Sequence, residues 1–314
     1  MRITLFSLLS LMAATAAVIP DEFPNPVDFL TNVKTSAPIT FALSNSLGSN
    51  MILQRAPQSA LVWGFAPAGA IIKTTFLGRS YSSTSDATDI WRQALPPQPA
   101  TTTPTTISFT SSTGEPSITI TNVLFGDLYL CGGQSNMVFS VPSMTNASAE
   151  IQRANDYPNI RIFTVGQKTS SKTPLSNLVT IEEPWSVVTN LTVNSRSEFG
   201  YFSAVCFVFG REVYDGLNGK VPIGLVSSSW GGTKIEHWAD PAAFKRCNQA
   251  SDDSVLYNAM IRPFDIGPMA ITGFAWYQGE TQFLLPPPPS PLFPLSHTSL
   301  SSPSPTLTTH PNTL

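Results

Sequence analysis

Short hydrophobic runs, broken by glycine, asparagine and proline, dominate residues 25–122. They include TFALSNSLGSNMILQR and SALVWGFA, and the Thr/Ser-rich segment ATTTPTTISFTSSTGEPSITITNV alternates apolar and polar positions towards its end. Such runs are typical of short β-strands joined by turns, and no helical periodicity of useful length interrupts them. We therefore predict a β-rich, sandwich-like module over residues 25–122.

More continuous hydrophobic runs follow from residue 123. They are rich in aliphatic, β-branched and aromatic residues and read DLYLC, IRIFTV, VPIGLVSSS and ITGFAWY. This composition is typical of parallel strands that are buried on both faces. Segments with helical character lie between them, so we predict an α/β domain over residues 123–282, with its active edge at the carboxyl ends of the strands.

Two helices are predicted between these strands. In SAVCFVFGREVYDGL, Val205, Phe209 and Val213 recur at a spacing of four, and Gly216 closes the segment. This spacing places the three apolar side chains on one face of a helix. SVLYNAMIRPF predicts a second helix, which we expect to end at Pro263.

The two ends of the chain differ from the rest. MRITLFSLLSLMAATAAVIP combines a positive residue, an apolar stretch and an A-x-A signal, which predicts a signal peptide over residues 1–17 rather than a buried helix. The protein is then expected to be secreted, lysosomal or vacuolar, with Asn146 and Asn190 as glycosylation candidates. Residues 283–314 contain no charged residue, and 20 of the 32 are Pro, Ser or Thr, so this tail is predicted to be low-complexity and disordered.

Composition limits the classes of partner. The chain has 314 residues, of which 42% are hydrophobic and only 12% charged, and its net charge is -3. This balance argues against nucleic acid as a partner, and beyond the N-terminus no apolar run has the length to span a membrane.

Three cysteines leave an odd number for a secreted chain. Cys131 and Cys206 lie in apolar runs and are expected in the core, whereas polar surroundings leave Cys247 without an obvious partner.

One candidate nucleophile stands out, Ser135 in GDLYLCGGQSNM. An apolar strand ends there in two glycines, and the serine follows at what we predict to be the start of a helix. A serine at such a strand-to-helix turn is exposed at the sheet edge, where helix N-terminal amides favour the negative charge of an oxyanion. An ordinary helix N-cap serine would give the same local pattern.

Two further strand ends carry polar or glycine-rich tips. VPIGLVSSSWGGTKIEHW runs into Gly231 and Gly232, and GFAWYQGET ends in Gln278 and Glu280. A plain strand-to-helix turn and a capping polar residue would explain each of them alone. Together with Ser135, a glycine N–H and a side-chain amide make up the oxyanion-stabilising half of an acyl-transfer site.

These segments resemble the sialate O-acetylesterases of the SGNH-hydrolase superfamily. The resemblance rests on GDLYLCGGQSNM, PIGLVSSSWGGTKIEHW, SVLYNAMIRPF and GFAWYQGE in this order and spacing, and SNSLGSNMILQRAPQSALVWGFA is similar to the start of that family's β-rich region. It covers most of residues 39–282. It implies a flavodoxin-like α/β fold, with a parallel sheet and flanking helices, and the removal of acetyl esters from sialic acid or related sugars.

The resemblance also implies roles for single residues. Ser135 matches the nucleophile, Gly231 and Gly232 match the glycines of the oxyanion hole, and Gln278 matches a third block in which this branch uses Gln in place of Asn. Glu280 belongs to the same block and is expected to orient it.

The expected catalytic base is missing from the matching part of the sequence. The family carries an Asp-x-x-His motif late in its α/β domain, and none occurs in these 314 residues. The histidines are His237, beside Glu236 in the folded region, and His297 and His310 in the tail. His237 is a weak candidate base and is more typical of a surface helical histidine. We expect that the matching C-terminal part of the esterase is absent from this sequence.

We therefore predict a secreted serine esterase that needs no cofactor or metal and acts on acetylated sugars. A chain without this acid–base pair is expected to be effectively inactive. The alternatives are a non-catalytic glycan-binding protein, an unstable fragment, and an esterase for acetylated plant polysaccharide of the acetylxylan type. The oligomeric state and the exact sugar are left open.

Overall fold

The computed structural model describes residues 39–194, 202–247, 253–266 and 269–279. The predicted leader and tail lie outside these residues. Among the helices of the described part, none has the length and apolar composition that crossing a membrane requires.

Short strands make up most of the regular structure. The strands of the described residues are β1 (Ala42–Leu43), β2 (Ile52–Gln54), β3 (Leu61–Phe65), β4 (Ile71–Phe76), β5 (Arg79–Thr84), β6 (Ile90–Ala94), β7 (Thr101–Ser111), β8 (Ile118–Gly133), β9 (Ile160–Val165), β10 (Ile181–Val187), β11 (Ile223–Ser229) and β12 (Gly273–Tyr277). The α-helices are α1 (Ser135–Val138), α2 (Ala147–Arg153), α3 (Ala204–Gly216), α4 (Pro241–Arg246) and α5 (Arg262–Asp265). Shorter helical turns are Val141–Ser143, Ala154–Asp156, Ile235–Trp238 and the π-helical turn Tyr257–Ile261.

The β-rich half consists of two packed sheets, in agreement with the predicted β-rich module. A three-stranded antiparallel sheet has the order β1-β3-β6, and a second sheet contains β5, β4, β7 and the first half of β8. Trp91 of β6 meets Phe109 of β7 with a ring-centroid distance of 5.6 Å, and both side chains are fully buried. These rings join the inner faces of the two sheets.

Strand β8 belongs to both halves of the molecule. Its first half pairs with the antiparallel strand β7, and its second half lies between the parallel strands β11 and β12. The predicted boundary between residues 122 and 123 therefore falls inside one continuous strand. The division into two domains stays a prediction. The strand that both parts share couples their cores.

The second half has the predicted α/β architecture. Its parallel strands follow the order β9-β11-β8-β12, and β10 joins β9 as an antiparallel edge strand. Every residue of β9 and of β11 is buried, as expected for parallel strands covered on both faces. Helix α3 packs on one face through a cluster with Cys131 and Leu225, and Met260 and Phe264 cover the other.

Both predicted helices form, with differences in detail. Helix α3 ends at Gly216 as predicted, but its most buried side chains include Phe207 and Arg211, whereas Val205, Phe209 and Val213 are only partly buried. The second helix does not end at Pro263. The helical conformation continues without a break from the π-helical turn into α5, in which Pro263 is the second residue. The π turn directly before it already changes the regular hydrogen-bond ladder that proline would interrupt.

Cys131 and Cys206 lie in the core, and they also form a disulfide. The bond joins β8 to α3, and the two cysteines lie 75 residues apart in sequence. Apolar surroundings explain the burial of these cysteines but cannot reveal their pairing, which depends on how α3 lies against β8. Cys247 is free and exposed.

Candidate active site

Three strands end at the same level of the sheet. In the register of the parallel strands, Gly133 of β8 pairs with Ser229 of β11 on one side and with Tyr277 of β12 on the other. The segments that follow these three residues contain Ser135, Gly231 and Gln278. As predicted, the sheet therefore brings the three motifs to one edge.

The turn before Ser135 requires its two glycines. A Cβ on Gly133 would lie 2.0 Å from the carbonyl oxygen of Tyr277, and the φ angle of Gly133 is +141°. A Cβ on Gly132 would lie 2.4 Å from the Trp276 ring. Close approach of the backbones allows the Gln134 N–H to donate to the Tyr277 carbonyl at 3.1 Å. Two glycines thus let β8 turn sharply between its neighbours and present Ser135 at the surface.

The helix that begins at Ser135 is a single turn. Helix α1 spans only Ser135–Val138, and the next residue, Phe139, has an extended backbone. A dipole grows with the number of aligned peptide units, so a four-residue helix contributes little charge stabilisation. Any oxyanion at Ser135 therefore depends on individual N–H groups rather than on the helix as a whole.

Gly231 lies directly against Ser135. A Cβ built on Gly231 would be 3.5 Å from Ser135 Oγ and 3.8 Å from its Cα. The Trp230 N–H donates to the Gly133 carbonyl at 3.0 Å, which extends the ladder between β11 and β8 by one residue beyond Ser229. Gly232 follows with a φ angle of +74°, a left-handed conformation that glycine adopts at little cost.

Gln278 reaches the turn formed by Gly231 and Gly232 (the glycine turn) from the opposite side. Its Nε2 donates to the carbonyl of Thr233 at 2.8 Å, and its Oε1 is buried with no hydrogen-bond partner among the described residues. The amide is therefore anchored on the segment that carries Gly231. One N–H of Nε2 is used in this bond, and Gln278 is not among the described residues that line the cleft at Ser135.

A cleft of about 230 Å³ opens at Ser135. Its lining residues are Ser135, Val138, Gln167, Trp230 and Gly231. The walls combine an apolar side chain and an indole ring with hydrogen-bonding groups, and none of the five residues is charged. This mixture suits a small polar molecule with apolar faces.

A larger cleft of about 360 Å³ lies around Arg55 and Asp127, at the other end of the parallel half of β8. The Arg55 guanidinium binds the buried Asp127 carboxylate through two hydrogen bonds of 2.8 and 3.0 Å. The lining of this cleft contains no serine, cysteine or histidine, so the smaller cleft is the better candidate for covalent chemistry.

Of the histidines and Glu280, His237 alone lies within the described residues. Glu280, His297 and His310 lie outside them. His237 lies in the helical turn Ile235–Trp238, with its Nε2 3.4 Å from an Asp253 carboxylate oxygen, and it is not among the cleft-lining residues. Among the described residues, no group of three or more His, Cys, Asp or Glu side chains has the arrangement of a metal site.

Two residues at this edge, Gln167 and Thr233, are not predicted from the sequence. Gln167 follows β9, the next strand of the sheet beyond β11, and its position after a buried strand could have suggested it. Thr233 links Gly231 to Gln278, and no local pattern marks it, because its partners come from distant parts of the chain.

Comparison with known proteins identifies the family of this segment. A family model described as "carbohydrate esterase, sialic acid-specific acetylesterase" matches residues 125–284. Sialate O-acetylesterases from Pongo abelii and Homo sapiens are 35% and 34% identical over 273 residues, which cover 78% of this chain and 50% of each relative. The chain thus spans about half the length of the curated relatives that it matches.

A solved structure supports the same assignment. A carbohydrate acetylesterase from Xanthomonas citri superposes with a TM-score of 0.64 at 33% identity, over 76% of this chain and 52% of that one. The family model covers more than half of the chain and includes Ser135, Gly231 and Gln278. The chain therefore belongs to the sialic acid-specific acetylesterase family of carbohydrate esterases.

Proposed function

We propose that this chain provides the nucleophile and the oxyanion-binding groups of a serine esterase that removes acetyl groups from O-acetylated sugars. The observation that carries the proposal is the proximity of Gly231 to Ser135: a Cβ added to Gly231 would lie 3.5 Å from the Ser135 hydroxyl oxygen. At this separation, a carbonyl group attacked by Ser135 lies next to the backbone of the glycine turn.

The proposed reaction has two steps. Ser135 Oγ attacks the acetyl carbonyl carbon, the carbonyl oxygen becomes an oxyanion, and collapse of this intermediate releases the sugar alcohol and leaves an acetyl-serine. Water then attacks the acetyl-serine, acetate leaves, and the serine hydroxyl is restored. The oxyanion would be held by the N–H of Ser135, the N–H of Gly231 or Gly232, and the Gln278 amide.

A base must accept the Ser135 proton in the first step and return it to the leaving alcohol. The family resemblance implies a histidine of an Asp-x-x-His motif, which is not part of these 314 residues. His237, paired with Asp253, is the candidate within the described chain.

O-acetylated sialic acid is the proposed substrate class. The support comes from the sialate O-acetylesterases at 34–35% identity. Acetylated plant polysaccharide is the second candidate, because none of the described residues that line the cleft at Ser135 is charged and available to bind a sialate carboxylate. From the N-terminal pattern we also propose secretion.

Acetate release tests the proposal. The full chain and its Ser135→Ala variant are incubated with O-acetylated sialic acid and with acetylated xylan, and acetate is measured over time. Ser59→Ala, at another exposed serine, is the matched control. With His237 as the base, we expect release by the wild type and by the control, and loss of release on replacing Ser135.

Other outcomes separate the alternatives. Saturable binding of acetylated sugar without acetate release would reject the esterase and favour a glycan-binding protein. Absence of a cooperative melt would favour an unstable fragment. Faster release from xylan than from sialic acid would keep the esterase and change its substrate.

A further inference from the structure

Three hydrogen bonds converge on Thr233, a buried residue directly after the two glycines. Its hydroxyl donates to the Trp230 carbonyl at 2.7 Å and accepts from the Trp238 indole N–H at 2.9 Å. Its carbonyl accepts from Gln278 Nε2 at 2.8 Å. Thr233 is 8% exposed, so water competes little for these bonds.

The hydrogen bond donated by the Thr233 hydroxyl closes the glycine turn. It joins Thr233 to Trp230 across Gly231 and Gly232, the most freely rotating part of the backbone at this edge. A hydroxyl has a single hydrogen, and the N–H of Trp238 occupies one of its lone pairs, so that hydrogen is directed at the Trp230 carbonyl. The bond therefore restricts the directions in which the two glycine N–H groups point.

The hydrogen bond accepted by the Thr233 carbonyl holds the Gln278 side-chain amide. Among the described residues, Thr233 is the hydrogen-bond partner that the structure gives Gln278. The Trp238 ring also packs against Trp276 of β12 at a centroid distance of 5.7 Å. Both contacts connect the glycine turn to β12 and to Gln278, which follows this strand, so a shift of Thr233 would move the glycine turn and the Gln278 amide together.

We infer that Thr233 is a positioning residue for the oxyanion hole. Its hydroxyl sets the direction of the glycine N–H groups and its carbonyl sets the Gln278 amide, while Thr233 itself does not line the cleft. This inference rests on the proposed esterase function. It predicts an effect on turnover rather than on substrate binding, because the oxyanion exists only during the reaction.

The test compares Thr233→Val with Thr233→Ser. Valine keeps the shape and the carbonyl but removes the hydroxyl, whereas serine keeps the hydroxyl. Removing an oxyanion donor outright lowers kcat by about 100- to 1,000-fold. We expect Thr233→Val to lower kcat by about 10- to 100-fold, since the donors are misdirected rather than lost, with KM changed less than about twofold and with serine restoring most of the rate.

Hydrogen exchange gives a second readout that needs no turnover. The Gly231 and Gly232 amides should exchange faster in Thr233→Val than in the wild type, and Thr233→Ser should match the wild type. Trp238→Phe keeps a ring but removes the N–H that orients the hydroxyl. It should increase exchange of the same amides, and it replaces Thr233→Val if that variant does not fold.

Failure of this inference can be told from failure of the proposed function. If the wild type releases acetate and Thr233→Val keeps its kcat, the positioning role is wrong and the esterase stands. If the wild type releases no acetate, the esterase proposal fails, and exchange of the glycine amides decides the role of Thr233. Equal exchange of the Gly231 and Gly232 amides in the wild type and all variants would overturn the positioning role.

Discussion

Gly231 and Ser135 are neighbours in space although 96 positions separate them in sequence: a Cβ added to Gly231 would lie 3.5 Å from Ser135 Oγ. The contact arises because β11 and β8 are hydrogen-bonded neighbours whose last residues, Ser229 and Gly133, form a register pair. Two residues beyond each strand end, the chains are still side by side. The candidate nucleophile and the backbone that would stabilise its product are therefore set by one pair of parallel strands.

Gly231→Ala should separate activity from stability. The added methyl meets Ser135 at ordinary van der Waals distance, so the melting temperature should change little. The methyl also enters the cleft beside Oγ, where an acetyl carbonyl must approach. We expect kcat/KM for acetate release to fall at least about tenfold, or about 1.4 kcal/mol. A variant with lowered melting temperature and normal activity would contradict this account.

Gly133→Ala should have the opposite result and weaken the fold. A Cβ there would lie 2.0 Å from the Tyr277 carbonyl oxygen, at a φ angle of +141°, so backbone strain and a clash with β12 add together. Gly69→Ala is the matched control, because Gly69 has a φ angle of +81° and open space around it. The control should cost about 1–2 kcal/mol. Urea unfolding should show a clearly larger loss for Gly133→Ala, and equal losses would mean that the clash is relieved.

Loss of the Cys131–Cys206 disulfide should destabilise the protein. The bond closes a loop of 75 residues, for which the chain-entropy model gives about 4 kcal/mol. We expect the double variant Cys131→Ala, Cys206→Ala to unfold at much lower urea concentration than the wild type. Cys247→Ser, at the exposed free cysteine, should leave the midpoint unchanged. Equal midpoints for all three proteins would contradict a structural disulfide.

Asp86 should make the stability of the β-rich half depend on pH. A hydrogen bond from the Thr88 hydroxyl is the largest cause that holds its pKa far below the usual 3.8, and the Thr88 and Ile90 N–H groups and Arg92 add to it. A depressed folded-state pKa stabilises the protein above the unfolded pKa, and the stabilisation is lost as pH falls towards the folded value. Asp86→Asn should therefore lower the melting temperature at pH 7, and the difference should shrink below about pH 4. The effect is modest, because the carboxylate is 43% exposed.

Thr88→Val is the control for this effect. It removes the hydroxyl donor and should reproduce part of the loss at pH 7, with the same decrease at low pH. A constant difference between Asp86→Asn and the wild type from pH 7 to pH 3 would show that the titration of Asp86 is not responsible.

Several elements could be predicted because their causes are local. The buried strands β9 and β11 follow from continuous apolar runs, and α3 follows from its periodicity and from Gly216. The segment SVLYNAMIRPF shows the limit of such rules. The segment is predicted to end at Pro263, but the helix continues through it to Asp265, since the π-helical turn before the proline already changes the hydrogen-bond ladder.

The sequence by itself determined the position of Ser135 in its turn: an apolar strand ends in two glycines, whose conformational freedom allows the chain to turn directly before the serine. Tertiary structure decided which groups meet that serine. The pairing of Cys131 with Cys206, the bond from Gln278 to Thr233 and the presence of Gln167 in the cleft depend on the order β9-β11-β8-β12. That order arises from packing between segments far apart in the chain, so no local pattern of residues encodes it.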